Sequence, residues 1–144
     1  MGREDNKKVG KIGEEEACRY LREKGYEIVE RNWGSKWGEV DIIVKTKTHW
    51  IPCQARDDTK HSLSFRTRSG IHTNIFIFVE VKTKVGEDWG MPEEMVNKRK
   101  LAQVQRMAET YEPARGYQSR LDVVAVVLND DLSVCRLNHY ECVY

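Results

Sequence analysis

No long apolar run interrupts this 144-residue sequence. Its longest, Val123 to Leu128, falls far short of the roughly 20 residues a spanning helix needs, so no membrane span is expected. No one sign of charge dominates either. Lys+Arg 24 against Asp+Glu 23 leave a formal charge of +1. That balance excludes a chain that is basic all over, so any nucleic-acid partner must meet a local patch. Cysteine is scarce: Cys18, Cys53, Cys135 and Cys142, with no Cys-x-x-Cys. A disulfide framework is therefore not expected, and a reducing, cytoplasmic setting is. The opening MGREDNKKVG holds no apolar core and does not read as a secretory signal. Cys135-x-x-x-His139-x-x-Cys142 offers three soft ligands but matches no common zinc spacing. Cys18 and Cys135 read as small buried hydrophobes.

What remains is an ordinary globular composition, 40% hydrophobic and 33% charged, at the length of one domain spanning 1–144. Residues 1–11 are polar and read as frayed. From Ile12 to Lys24 the spacing is helical, with Glu14, Ala17, Cys18 and Leu21 on one stripe and Gly25 as its stop. A strand follows from Tyr26 to about Asn32, then a turn over Trp33–Gly38. Val40 to Val44, Ile75 to Lys84 and Leu121 to Leu128 read as strands, the last as central because both its faces are apolar. Leu132 to Leu137 is expected to close a hairpin after Asn129-Asp130-Asp131. A long helix is expected after Pro92, with Glu93 and Glu94 at its start and Leu101, Val104, Ala108 and Tyr111 as its buried stripe. The order predicts an α/β fold with a central mixed sheet flanked by helices.

Residues 45–75 break the pattern. Periodicity is absent, and Lys45, Lys47, Arg56, Lys60, Arg66 and Arg68 outnumber Asp57 and Asp58. Structureless stretches of this length are uncommon inside a compact domain. The segment reads as an insertion between two strands that would otherwise form a tight hairpin.

The chemistry concentrates in Phe78-Val79-Glu80-Val81-Lys82. Strand alternation puts Glu80 and Lys82 on one face, about 7 Å apart at their backbones. Gly38-Glu39-Val40-Asp41 sets Asp41 at the start of the neighbouring strand, where pairing would bring it against Glu80. Two converging carboxylates suit a hard divalent cation such as Mg²⁺. A nearby lysine can orient a water or offset charge on a phosphate. Glu14 adds a third acid on an apolar helical stripe, where carboxylates are rare unless paired or metal-bound. The competing readings are a surface ion pair for Glu80 and Lys82 and a helix-start role for Glu14. Asp122, in an apolar strand, needs a partner such as a nearby arginine. Trp33 and Trp37 frame a turn and could stack on an unpaired base.

These residues resemble a known family. GKIGEEEACRYLREKGYEIVERNW, GEVDIIV, FVEVKTK, MPEEMVNKRK and RLDVVAV stand in the order seen in the YraN-like proteins, also called UPF0102. Those proteins are similar to archaeal Holliday-junction resolvases and to the restriction-endonuclease-like PD-(D/E)xK fold. The resemblance implies a restriction-endonuclease-like domain and a Mg²⁺-dependent endonuclease, with Mn²⁺ as a second ion. It implies that Glu14, Asp41, Glu80 and Lys82 are the nuclease residues. Asp41, Glu80, Glu14 and the carbonyl of Val81 would hold the metal. Glu39 belongs to the same block, and Val40 stands where the wider fold has proline. Lys84, Lys98, Arg99, Lys100 and Arg120 are the candidate contacts to DNA phosphates. Branched or structured DNA is the implied partner, and a homodimer follows from the symmetric cutting of resolvases. The alternative is a nuclease-fold module that binds nucleic acid or a protein without cutting it.

Overall fold

The computed structural model describes residues 2–46, 74–86, 97–141 and 143. Helix α1 (Arg3–Glu23) leads into strands β1 (Glu27–Ser35), β2 (Gly38–Thr46) and β3 (Ile75–Val85). Helix α2 (Lys98–Thr110) and a short 3-10 turn (Glu112–Ala114) precede β4 (Gln118–Leu128) and β5 (Val134–Tyr140). The five strands lie in chain order, β1-β2-β3-β4-β5. Only β3 and β4 run parallel; the other neighbours are antiparallel. A parallel pair needs a crossover, and α2 lies on that connection. This is the mixed α/β arrangement of a restriction-endonuclease-like fold. Among the described residues no helix is long and apolar enough to cross a membrane.

Alternation along the strands builds two cores. Ile42, Val44, Ile75, Ile77, Val79, Val124, Val126 and Leu128 turn to one face, under Ala17, Cys18 and Leu21 of α1. Ile43, Phe76, Phe78 and Leu121 turn to the other, under Val104 and Met107 of α2. Each buried aliphatic or aromatic side chain contributes roughly 1.5–3 kcal/mol of transfer free energy. β4 is buried from Leu121 to Leu128 and lies inside the sheet, as its two apolar faces require.

Several boundaries differ from the sequence reading. α1 begins at Arg3, not Ile12. The Gly2 N–H donates to Asp5 Oδ2 at 3.0 Å, Glu4 and Asp5 complement the helix dipole, and Val9 is buried. β1 runs on through Trp33 to Ser35, so the turn shrinks to Lys36-Trp37. Gly38 then takes φ +142, open to glycine alone, with the Gln103 side chain standing where a Cβ would go. α2 is capped by Asn97, whose side chain accepts from the Lys100 N–H at 2.8 Å. The expected start at Pro92, Glu93 and Glu94 lies outside the described residues. Cys135 is exposed and Cys18 buried, so only the second is a core residue.

The stretch read as an insertion lies almost wholly outside the described residues. Its two ends do not: Thr46 pairs with Ile75 across the β2–β3 ladder.

Candidate functional site

β2 and β3 pair from Thr46↔Ile75 to Ile42↔Val79. One step further stand Asp41 and Glu80, where the two strands begin to part. Asp41 Oδ2 accepts a hydrogen bond from the Val81 N–H at 2.7 Å, in place of a backbone ladder bond. The carboxylate is thereby held against β3.

Glu80 shares its face with Phe78 and Phe76, and is only 5% exposed. Its Oε1 lies 2.8 Å from Lys82 Nζ, so the two side chains do share a face. Its Oε2 lies 3.2 Å from Lys100 Nζ, the first turn of α2. That same oxygen is buried and makes no hydrogen bond. The Lys100 contact is therefore an ion pair in poor hydrogen-bond alignment. Lys100 Nζ also donates to the Glu39 carbonyl at 3.4 Å, which ties α2 to the start of β2.

Burial first, and then the charge of Glu80, push the Asp41 carboxyl up to about 6. The Val81 N–H and Lys100 pull the other way, and Glu14 adds a further push upward. Glu14 reaches this site because of its neighbour. Gly13 is buried with the Thr83 side chain where a Cβ would go, so α1 rides directly on β3 just past Lys82. Glu14 itself is half-buried. Among the described residues no three His, Cys, Asp or Glu side chains are arranged to hold a metal ion. Glu14 thus acts on Asp41 through its charge, while Asp41, Glu80 and Lys82 come together.

Of the basic residues, Lys84, Lys98 and Arg99 are exposed, and Lys100 is half-buried on Glu80. Lys98, Arg99 and Lys100 fill the first turn of α2, which has no acidic residue. Three cations at the positive end of a helix oppose its dipole, an arrangement that an anion would relieve. Arg120 sits elsewhere. Its Nη2 lies 3.0 Å from Asp122 Oδ2, and the side chain is 12% exposed. It serves as the partner that the buried Asp122 requires and stands apart from the exposed basic cluster.

Asp122 has a second partner that the sequence reading missed. His139 Nε2 lies 2.8 Å from Asp122 Oδ2, and Lys24 Nζ lies 3.2 Å from His139 Nδ1. Lys24 also pairs with Glu141 at 3.1 Å, and Arg120 Nη2 donates to the Tyr26 hydroxyl at 3.2 Å. His139 is thus held on Asp122 by one ring nitrogen and on Lys24 by the other. Lys100 was legible only as one of three adjacent cations. Which of them turns inward depends on the Asn97 cap, and a helix start expected near Pro92 hides that.

A family model described as "Uncharacterised protein family UPF0102" matches residues 13–126. A UPF0102 protein of Caldanaerobacter subterraneus subsp. tengcongensis is 31% identical, with 96% of each chain covered. One from Desulforamulus reducens is 32% identical over 94% of this chain and 93% of its own. One from Clostridium acetobutylicum is 35% identical over 86% of this chain and 83% of its own. The residues matched by the family model include Glu14, Asp41, Glu80 and Lys82, and the chain belongs to the uncharacterised protein family UPF0102.

Proposed function

We propose that this protein is an endonuclease that hydrolyses phosphodiester bonds in DNA, with branched or otherwise structured DNA as its substrate. One observation carries the reading: a nearly buried Glu80, with two lysines on its oxygens, stands beside an Asp41 whose carboxyl is pushed up to about 6. A buried acid perturbed by its surroundings and edged with cations marks a site of chemistry more often than chance.

The donor set fits a hard divalent cation. Glu80 Oε2 is buried without a hydrogen bond, and Asp41 Oδ2 alone is engaged by Val81. Asp41, Glu80 and the Val81 carbonyl would hold Mg²⁺ or Mn²⁺, with Glu14 adding its negative charge from nearby. When bound, such an ion supplies Lewis acidity at a phosphoryl oxygen and a more acidic water. Lys82 is held 2.8 Å from Glu80 and so is oriented to hold the attacking water and to offset charge growing on the phosphate. Water adds to phosphorus, and the bond to the leaving sugar oxygen breaks. Lys98 and Arg99 supply phosphate contacts that fix the duplex arm. Two copies acting as a symmetric dimer would cut both strands, and such a substrate places the work in the cytoplasm.

The test is cleavage of a four-way DNA junction with Mg²⁺ by wild type, Asp41→Ala and Lys82→Ala. Wild type cuts and both variants lose at least about a hundredfold in rate. Equal rates in all three would sink the proposal. The second reading, a module that binds DNA without cutting, is favoured by the two-acid count at the site. It predicts salt-dependent binding and no product with any divalent ion.

A further inference from the structure

The tip of the β1–β2 hairpin carries an aromatic ring with two cations against it. Trp37 is 39% exposed. Lys36 Nζ stands 4.9 Å from the centroid of its ring, and the Arg106 guanidinium of α2 stands 5.3 Å from it. Neither cation has an ion-pair partner among the described residues. Trp33, at the other side of the turn, packs inward against Tyr111 with ring centroids 4.9 Å apart.

The exposed ring sits on a fastened turn. The Trp37 N–H donates to Ser35 Oγ at 3.1 Å, and the Gln103 side-chain amide donates to the Trp37 carbonyl. Gly38 takes the φ of +142 that lets Gln103 approach. One helix face organises everything here. Lys100 reaches Glu80, Gln103 reaches the Trp37 backbone, and Arg106 reaches its ring. Lys100 and Arg106 are six residues apart, about 9 Å along the helix axis.

This arrangement has a local cost. Two like charges share one ring, and a large apolar surface faces water on a rigid turn. Local features that cost stability without a structural return concentrate at functional sites. A polyanion with unpaired bases relieves all of it. Phosphates draw off the two cations, and a base covers the ring face they vacate.

We infer that Lys36, Trp37 and Arg106 form a subsite for an unpaired nucleic-acid strand flanking the scissile phosphodiester; this rests on the nucleic-acid reading above. The subsite therefore takes the strand close to the phosphodiester held at Asp41 and Glu80, about 9 Å along α2 from Lys100. A base stacked inside a duplex cannot offer its face to Trp37, so the subsite selects an unpaired strand or a frayed end over continuous duplex.

The experiment is a fluorescence-anisotropy titration, in chelator, with an oligothymidine strand, a blunt duplex of equal length and a four-way junction. Wild type, Trp37→Ala, Trp37→Phe and the double variant Lys36→Ala/Arg106→Ala are compared, each with a thermal melt. Trp37→Ala should bind the single strand roughly tenfold more weakly with its duplex affinity unchanged, and Trp37→Phe should recover most of the loss. The double variant should lower the slope of log affinity against log salt by about two. If both variants bind the single strand like wild type while wild type still binds the junction, the subsite is wrong and the proposed function stands. Equal losses on strand and duplex with an unchanged salt slope also overturn it. If wild type binds no nucleic acid, the subsite and the proposed function fall together.

Discussion

Two groups of charged side chains are buried in this sheet, and they are built in opposite ways. Around Asp122 each charged side chain meets an opposite charge, although Arg120 Nε is buried without a hydrogen bond. The carboxylate is fully buried, with Arg120 at 3.0 Å and His139 at 2.8 Å, and Lys24, Tyr26 and Glu141 close the network. Around Asp41 and Glu80 the charges are only partly answered. Two acids face each other, one Glu80 oxygen lacks a hydrogen bond, and the Asp41 carboxyl is pushed up to about 6. A buried network of paired opposite charges specifies structure, whereas two acids set against each other cost stability and persist where a ligand completes them. Burial alone does not separate the two, since Glu80 is nearly as enclosed as Asp122. The sign of the neighbours does: Asp122 sits on Arg120 and His139, whereas Asp41 sits beside Glu80.

The contrast can be broken most sharply by removing one acid from each side. Lys82→Ala or Asp41→Ala should reduce junction cleavage by at least about a hundredfold, whereas Asp122→Asn, where folded, should retain the rate within a few-fold. Comparable losses from both would erase the distinction.

Stability should invert that order. Asp122→Ala leaves Arg120 buried and His139 without its acceptor, and should cost about 3–5 kcal/mol in a urea titration.

Asp41→Asn should instead stabilise the fold. A carboxyl raised from 3.8 to about 6 favours its neutral form in the folded state. The penalty is absent below about pH 4, grows through that window and is complete above it. The full shift corresponds to about 3 kcal/mol, and partial solvent access reduces the expected gain to about 1–2 kcal/mol at pH 8. At pH 4 the variant and wild type should melt together. A gain that is the same at both pH values would show that ionisation is not the cause.

Gly13→Ala sharpens the role of Glu14. Its Cβ meets the Thr83 side chain, so α1 must lift, at about 1–3 kcal/mol. Thr83→Ala should relieve most of that in the double variant. Lifting α1 also moves Glu14 away, so the acid limb of the pH–rate profile should shift to lower pH.

The architecture was legible because its periodicities are strong. Val40–Val44, Ile75–Lys84 and Leu121–Leu128 each mark the middle of a real strand. The shared face of Glu80 and Lys82 follows from alternation alone, and their 2.8 Å contact agrees. Ends were harder. Arg3–Gly10 has no apolar stripe, and its helix rests on the Asp5 cap, acidic residues in the first turn and a lone Val9. The partners of Asp122 come from β4 and β5, and a pairing register decides which histidine arrives there. His139 stands opposite Val124, two residues beyond Asp122. Spacing within one segment carries no information about that. The same holds for Lys100, Gln103 and Arg106, whose targets lie on a hairpin more than sixty residues earlier.

The rung formed by Thr46 and Ile75 has an engineering consequence. A ladder already closed at that point sets strand alignment from within the sheet, so the tether joining its two rails is freed from setting it. A short type I′ linker spliced there, or a reporter grafted there, should leave the carboxylate pair five residues further along each strand in its seat.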